Sequence, residues 1–394
     1  MSTSVAAGSG GSGTVRRFLV AGWQGTRLFR PILVLTILLF IGLATTQAGF
    51  LTSQNVQNLL TGVSGLWIIA LGMTFVLITA GADLSVSAIS ALTGIFLAKI
   101  ISGGIPGWPA VVLTLVFGTV LGALINGGLI GRFRLSFFVV TLASMTALTG
   151  AVNIWSGTQS FTVSSPVALQ IGVNSILGLP APIWIMIIAF VISLWIQRWT
   201  YFGRDVYAVG GSISAARLSG VRTTRTLIIT YGVSAFCATI AGIISVGRIG
   251  VAAPNVDANL PLQAIAAVLL GGTSLTGGSG GVGGTILGVL FLGMLQNGLS
   301  IAGVPSFWQQ VVTGVILVLA VLGDHLGLIG DRMRRRRGRG DPAGPGGTSS
   351  DEAPALAEGA ASADVVAAGS PTPPDGTPAL AEGTPILRSS EPER

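Results

Sequence analysis

The feature that most constrains this chain is a succession of apolar runs that continues almost without charge from Pro31 to Gly330. Within that stretch the only charged residues are Lys99, eight arginines and four aspartates, and no glutamate occurs before Glu352. About 20 consecutive apolar residues cross the hydrocarbon core of a bilayer, and a mean hydropathy of +0.78 is far above that of soluble domains. The sequence therefore predicts an all-α, polytopic membrane protein.

Ten membrane-spanning helices are expected from the lengths of these runs, because a helix rises 1.5 Å per residue and must cover about 30 Å. Two breaks are expected, near 80–84 and near 271–284. The membrane domain is placed at 31–330, between a disordered basic segment at 1–30 and a disordered polar tail at 331–394. The predicted spans are 31–49, 59–80, 84–101, 108–130, 136–155, 181–199, 226–247, 258–276, 284–302 and 306–323.

The arginines indicate which side of the membrane each loop occupies. They cluster between the fourth and fifth spans, between the sixth and seventh, and after the tenth at 332–339. Arginine and lysine are enriched in cytoplasmic loops, so all three clusters and both termini are expected in the cytoplasm. The net charge of +7 is then explained by basic residues that anchor the chain at the lipid membrane. The last cluster is expected to contact anionic lipid headgroups. No nucleic-acid partner is expected.

A glycine-rich stretch interrupts the eighth predicted span. Eight of the fourteen residues from 271 to 284 are glycine, and the apolar run before them, Ala264 to Leu270, is too short to cross the membrane. Since glycine weakens a helix by about 1 kcal/mol relative to alanine, we expect a short helix continued by irregular backbone. This stretch either faces a translocation path or lets neighbouring helices approach closely. The residues expected to form the break are Gly271, Gly272, Gly277 and Gly278.

Asp83 is the only acidic residue in the first six predicted spans. It lies between two apolar runs, where its carboxylate could cap the following helix or form part of a substrate or ion site. The sequence leaves both interpretations open. Other polar residues within apolar runs could line a hydrophilic path or join neighbouring helices by hydrogen bonds. The residues proposed for the path are Asp83, Ser85, Asn126, Gln263 and Asn297.

No residue pattern typical of an enzyme or a metal site occurs in the sequence. His325 is the only histidine and Cys237 the only cysteine, and a phosphate-binding loop is excluded because the only lysine is Lys99. We therefore expect no catalytic residue, no metal and no cofactor bound by this chain. A secondary transporter would need intramembrane carboxylates, of which only Asp83 is available, and it is kept as an alternative.

The segment at 200–225 is longer than a connection between two helices requires. Glycines bracket residues 212–219, which are predicted to form a short amphipathic helix with two adjacent alanines as a small flat face. An organised segment on the basic side of the membrane predicts a docking surface for a soluble partner. The residues assigned to it are Gly211, Ala215, Ala216, Arg217 and Gly220.

Six stretches resemble, in order along the chain, the permease subunits of monosaccharide (ribose-type) ATP-binding-cassette importers, the binding-protein-dependent transport permeases. Together they cover nearly all of residues 50–323. They are GMTFVLITAGADLSVSAISALTG (72–94), LPAPIWIM (179–186), FGRDVYAVGG (202–211), ARLSGV (216–221), LQAIAAVLLGGTSLTGG (262–278) and LGMLQNGLSIAGV (292–304).

The resemblance implies a transport subunit and not an enzyme, located in the plasma membrane of a prokaryote. It implies a translocation path for a ribose-, xylose- or galactose-like sugar, with a nucleoside or another small polar solute as the alternative cargo. The implied partners are a second copy of the permease, a cytoplasmic ATPase chain that binds the ATP, and an extracytoplasmic sugar-binding protein. The segment 200–225 would hold the coupling helix. The family usually has an acidic residue ahead of the coupling alanines, whereas this chain has Ser212, Ile213 and Ser214.

Overall fold

The computed structural model describes residues 31–337, except for the side chains of 323–337. These residues belong to one compact unit. The segment at 1–30 and most of the tail at 331–394, both predicted to be disordered, lie outside the described residues. The side chains of the arginine cluster at 332–339 lie outside them as well.

The described part of the chain is predominantly helical and its strands are only two residues long, which confirms the all-α prediction. Helix α4 continues through a π-helical turn at Ala123–Gly127 into α5. The helices are α1 Pro31–Thr46, α2 Ser53–Ile78, α3 Val86–Ser102, α4 Gly107–Gly122, α5 Gly128–Phe133, α6 Phe137–Ser156, α7 Pro166–Gly172, α8 Ala181–Trp199, α9 Tyr201–Gly211, α10 Ile213–Leu218, α11 Thr223–Ile249, α12 Leu260–Leu270, α13 Val282–Ile301 and α14 Ser306–Arg337.

Within residues 31–337, six helical stretches are long and apolar enough to cross a membrane: α2, α4 to α5, α6, α8, α11 and α13. Four shorter apolar helices, α1, α3, α12 and the part of α14 up to Leu322, occupy the remaining predicted spans. The sequence prediction of a polytopic helical bundle is therefore confirmed. Helix α14 continues to Arg337, so the domain boundary predicted at 330 falls inside a helix.

Local sequence signals begin and end these helices. The hydroxyl oxygen of Thr52 accepts a hydrogen bond from the backbone amide of Asn55 at 3.3 Å and caps α2. Pro261 lies in the first turn of α12, where its missing amide hydrogen is not needed. Gly157 and Gly250 end α6 and α11 in the left-handed conformation, which glycine adopts without strain.

Helices α2 and α11 form the centre of the bundle. In their most apolar windows 78% and 72% of residues are buried, against 28% in α6 and α8, whose exposed apolar side chains suit a lipid environment. Small residues bring the two central helices together, because a Cβ atom at Gly72 would lie 3.0 Å from the Cβ atom of Cys237. The π-helical turn approaches α11 in the same way at Gly127, where a Cβ atom would lie 2.7 Å from the Cα atom of Ile228.

Both predicted breaks are present, and they contact each other. Helix α2 ends at Ile78 and α3 begins at Val86, while the glycine-rich loop from Gly271 to Gly281 separates α12 from α13. The second break is shorter than predicted, because residues 282–284 are helical. The backbone amide of Gly278 donates a 2.8 Å hydrogen bond to the carbonyl oxygen of Ile78, so each break satisfies a backbone group of the other.

Small elements that the sequence did not predict lie at the end of the bundle where α11 stops. The strand β1 Phe161–Thr162 pairs antiparallel with β4 Val251–Ala252, and β2 Ser175–Ile176 pairs with β3 Leu179–Pro180. We call this the strand end. Helices α9 and α10 mark the opposite end, the α10 end, where both breaks also lie.

Candidate functional site

A cavity of about 450 Å³ lies between α2, α11, α12, α13 and α14, toward the strand end. Its volume falls in the ~300–1,000 Å³ range of small-molecule sites. Two of the residues proposed for a path, Gln263 and Asn297, line it. The other polar lining residues are Asn58, Ser90, Ser245, Arg248, Gln296, Ser300 and Gln309.

Some of the lining amides are held by neighbours and others are free to bind a solute. Asn297 and Asn55 exchange two side-chain hydrogen bonds of 2.9 and 3.0 Å, which join α13 to the start of α2. Gln309 donates to the carbonyl oxygen of Val304 at 3.0 Å. The amides of Gln263 and Gln296 bond to no other residue in the described part of the chain, so their donors and acceptors face the cavity.

Arg248 is the only charged residue among the described residues that line the cavity. It lies in the last turn of α11, where the helix dipole favours a cation. The described lining residues include no carboxylate and no aromatic ring. Among the described side chains, no three His, Cys, Asp or Glu residues come together as a metal site would require.

Asp83 belongs to a separate, completely buried network of hydrogen bonds. Its Oδ1 atom accepts from the backbone amide of Ser85 at 3.1 Å, from the Ser85 hydroxyl at 2.6 Å and from the Asn126 amide at 3.3 Å. Its Oδ2 atom accepts from the Ser234 hydroxyl at 2.8 Å. Ser144 donates to the Oδ1 atom of Asn126 at 2.7 Å. The network thus connects the start of α3 with the π-helical turn, α6 and α11.

This network refines the sequence interpretation of Asp83. The N-cap of α3 is Ser85, and Asp83 precedes it by two residues, so Asp83 supports the helix start without being its N-cap. Asp83, Ser85 and Asn126 do not line the cavity that contains Gln263 and Asn297. The sequence analysis did not single out Ser144 and Ser234; both are polar residues inside apolar runs, the signal that identified Asn126.

The segment predicted to dock a partner folds into the two helices α9 and α10. Thr200 caps α9 by accepting from the amide of Gly203 at 3.1 Å, and Ser212 caps α10 by accepting from the amide of Ala215 at 3.3 Å. Gly220 follows α10 with φ +84°, which turns the chain toward α11. Helix α10, Ile213–Leu218, lies within residues 212–219, where the sequence predicted a short helix.

The predicted flat face of two alanines is wrong in one respect. Ala215 is exposed, but Ala216 is only 4% exposed, because it occupies the inner side of α10. The exposed side carries two apolar residues that the sequence analysis did not single out, Ile213 at 48% and Leu218 at 90% exposure. Arg217 is exposed beside them.

Gln197 and Tyr207 join this segment to the glycine-rich loop. The Tyr207 hydroxyl donates to the carbonyl oxygen of Gly280 at 2.6 Å, and the Gln197 side chain donates to that hydroxyl while accepting from the amide of Val282 at 3.1 Å. Burial raises the pKa of Tyr207 above its usual range, so the phenol remains a neutral donor at physiological pH. The start of α13 is thereby held against α8 and α9.

The glycine-rich loop packs closely against its neighbours. Gly272, Gly277 and Gly278 have φ between +72° and +83°, a conformation that other residues rarely adopt. A Cβ atom at Gly278 would lie 3.1 Å from the Cα atom of Gly211, the last residue of α9. At Gly271 a Cβ atom would meet the backbone of Gly284. The loop therefore contacts the docking segment through its backbone.

Comparison with known proteins gives consistent matches. Residues 55–321 match the family described as branched-chain amino acid transport system / permease component. The ribose import permease protein RbsC of Escherichia coli K12 is 37% identical over 314 residues, which cover 79% of this chain and 97% of that protein. RbsC of Bacillus subtilis 168 is 41% identical over 297 residues, 75% of this chain and 92% of that protein. The xylose transport system permease protein XylH of Escherichia coli K12 is 32% identical over 355 residues, with coverages of 74% and 89%. No solved structure matches the chain significantly.

Proposed function

The chain belongs to the branched-chain amino acid transport system / permease component family, and from this membership we propose that it forms the path by which an ATP-driven importer takes up a monosaccharide. The relatives that cover most of its length are named as permeases for ribose and xylose. The observation that carries the proposal is the cavity toward the strand end, whose described lining offers side-chain amides and hydroxyls with one arginine, Arg248, and no carboxylate.

The chemistry of this lining suits a sugar. Each hydroxyl of a monosaccharide both donates and accepts hydrogen bonds, and so does each side-chain amide of Gln263, Gln296 and Asn297. A nucleoside in the same cavity would gain from an aromatic ring on which its base could stack, and the lining has none. The cavity therefore favours a monosaccharide over the nucleoside alternative.

The α10 end is proposed to face the cytoplasm. Seven arginines lie in the loops and helix ends there, whereas Lys99 and Arg248 lie toward the strand end, where Lys99 stacks over the ring of Phe161. Basic residues concentrate on the cytoplasmic side of membrane proteins. The extracytoplasmic sugar-binding protein would then deliver its ligand at the strand end. The seven arginines are Arg132, Arg134, Arg198, Arg204, Arg217, Arg222 and Arg225.

A separate ATPase chain is proposed to dock on α10. Leu218 and Ile213 expose apolar surface on a helix that would lie in the cytoplasm, and large exposed apolar side chains that cluster on one surface are typical of interaction sites. This contact would be made by Ile213, Leu218 and Ala215, in place of an ion pair from an acidic residue at 212–214. A second permease copy completes the proposed assembly.

The proposed coupling route runs from α10 to the cavity. Movement of α10 displaces α9, and α9 holds the glycine-rich loop through Tyr207 and Gly211. That loop begins α13, whose far half carries Gln296 and Asn297 into the cavity. A rigid-body shift of α13 relative to α2 and α11 would open or close the cavity, as in other transitions between packed helices.

The test is ATP-driven uptake into proteoliposomes that contain the permease, its ATPase and its binding protein. Labelled ribose, xylose, arabinose and adenosine are compared, with ADP in place of ATP as the control. We expect ATP-dependent accumulation of at least one pentose and much less of adenosine. Uptake that prefers adenosine would overturn the cargo, and sugar uptake that needs no ATPase would overturn the importer class.

A further inference from the structure

Two arginines converge on a cavity beside the docking helix α10. Arg134, in the turn after α5, and Arg217, on α10, both line a cavity of about 220 Å³. A groove of about 540 Å³, lined by the same two arginines, extends to the start of α11, where Arg222 and Arg225 join them. Four positive charges from three segments of the chain therefore surround one connected depression.

Among the described residues, these charges have no acidic partner in either lining, since neither contains an aspartate or a glutamate. Asp205 shares a neighbouring pocket with Arg222 and Arg225, but it forms no ion pair with either. Arginine binds phosphate through two parallel hydrogen bonds, so a pair of arginines without a carboxylate partner is suited to an anionic phosphate group.

A buried hydroxyl in the smaller cavity also lacks a partner. Tyr231 is 1% exposed and lines the 220 Å³ cavity, yet its hydroxyl makes no hydrogen bond with any other residue in the described part of the chain. Buried polar groups without partners are rare because each is unfavourable. A ligand oxygen in the cavity would satisfy this donor.

The surface next to Arg134 is apolar and exposed. Phe133 and Leu135 flank it in sequence, and Phe138 and Val139 follow on the first turn of α6, all with exposed side chains. Such a surface at a membrane-spanning helix contacts lipid chains. Basic pockets between transmembrane helices on the cytoplasmic side bind lipid headgroups. A soluble partner's acidic side chain would explain the arginines but not the apolar surface.

We propose that the cavity between Arg134, Arg217 and Tyr231 binds the phosphate of an anionic phospholipid headgroup, with the acyl chains lying on the exposed face at the start of α6. The two guanidinium groups hold the phosphate, and the Tyr231 hydroxyl donates to one of the headgroup oxygens. Because Arg217 belongs to α10, a bound lipid connects the docking helix to the turn after α5. The binding itself does not depend on the identity of the transported solute.

The test uses the purified full chain in detergent, titrated with dioleoylphosphatidylglycerol and followed by native mass spectrometry and thermal unfolding. Dioleoylphosphatidylcholine and inorganic phosphate are titrated in parallel. We expect phosphatidylglycerol to be retained and to raise the melting temperature, and the other two to have little effect. Equal retention of the two lipids, or a shift reproduced by inorganic phosphate alone, would overturn an anionic lipid site.

Variants locate the site. The double variant Arg134→Asn, Arg217→Gln should bind phosphatidylglycerol about 30-fold more weakly, because it removes two basic residues that attract the anionic headgroup. Asparagine is chosen for Arg134 because it tolerates the φ of +56° at that position. The matched control, Arg132→Gln with Arg198→Gln, removes the same charge outside both linings and should bind as the unchanged protein does. Equal loss in both double variants would reject this location.

Tyr231→Phe tests the hydroxyl separately. The substitution removes a donor that no other described residue uses, so the lipid-free protein should keep its melting temperature while retention of phosphatidylglycerol falls several-fold. Unchanged retention in Tyr231→Phe would overturn the placement of the headgroup inside the cavity. The single variant Arg134→Asn repeats the charge test at an exposed residue if the double variant does not fold.

Discussion

The hydroxyl of Tyr207 donates a 2.6 Å hydrogen bond to the carbonyl oxygen of Gly280, which joins helix α9 to the glycine-rich loop across 73 residues of sequence. Gln197 bonds to the same hydroxyl and to the backbone of Val282, so the first turn of α13 is held at the same point. The glycine-rich loop, which interrupts the eighth predicted span, therefore also connects the docking segment to α13, a helix that lines the cavity.

Removal of that hydrogen bond should weaken coupling. In Tyr207→Phe the hydroxyl's bonds to Gly280 and to Gln197 are both lost, about 0.5–1.5 kcal/mol each, which should lower sugar uptake per ATP hydrolysed several-fold while ATP hydrolysis continues. The ratio of uptake to hydrolysis in proteoliposomes measures this. Tyr201→Phe is the matched control because Tyr201 lies on the same helix with an exposed side chain. An unchanged ratio in Tyr207→Phe would show that the bond does not transmit movement.

Substitutions on the exposed and the buried side of α10 should have different effects, the first on association with the ATPase and the second on stability. Leu218→Ser changes an exposed side chain, so the melting temperature should stay constant while association with the ATPase falls. Ala216→Leu changes a buried one, and overpacking should lower stability by about 1–3 kcal/mol. Copurification with the ATPase and thermal unfolding provide the two measurements. Normal ATPase association in Leu218→Ser would place the docking surface elsewhere.

The buried carboxylate should be required for stability. Asp83→Ala leaves the hydroxyl donors of Ser85 and Ser234 without an acceptor, whereas the Asn126 amide keeps its bond to the Ser85 oxygen; each unpaired buried group costs about 1–3 kcal/mol. Asp83→Asn keeps one acceptor oxygen, so its melting temperature should lie between those of Asp83→Ala and the unchanged protein. Thermal unfolding in detergent compares both with Asp257→Ala, which changes an exposed aspartate. Should Asp83→Ala unfold at the same temperature as Asp257→Ala, the network would not stabilise the bundle.

The glycine-rich loop should tolerate substitution only where space and backbone allow it. Gly277→Ala places a side chain at φ +82° and against Ala80, so it should lower stability by about 1–2 kcal/mol or more. Gly283 lies in the first turn of α13 with no atom near an added methyl group, so Gly283→Ala should leave the stability unchanged or raise it. Equal melting temperatures for the two variants would contradict the observed backbone.

The cavity should select its solute through its free amides. Gln263→Ala and Gln296→Ala each remove one or two hydrogen bonds to a sugar, so the KM for uptake should rise about 2–10-fold. Gln159→Ala, in an exposed loop toward the strand end, is the matched control. Saturation curves of ATP-driven uptake give the KM. If Gln263→Ala and Gln159→Ala behave alike, sugar does not contact this cavity.

Local patterns in the sequence were sufficient for the ten apolar helices, the two breaks and the short helix after Ser212, but not for α7 and α9. Hydropathy, capping residues and glycine act within a few residues, so they can be read along the chain. The burial of Ala216 and the contact between the breaks could not be predicted in this way. Both depend on which elements lie side by side, and periodicity does not contain that information.

The sequence by itself determined that this chain is a helical membrane protein of a permease family, because apolar length, charge placement and motif order are properties of the linear chain. The tertiary structure alone decided which polar residues act together. Asp83 pairs with Ser234 across 151 residues, and Asn297 pairs with Asn55 across 242. The physical reason is that a buried polar group is stabilised by whichever partner the packing of helices brings within hydrogen-bond distance. Packing therefore placed Asp83 inside the bundle and Gln263 in the cavity.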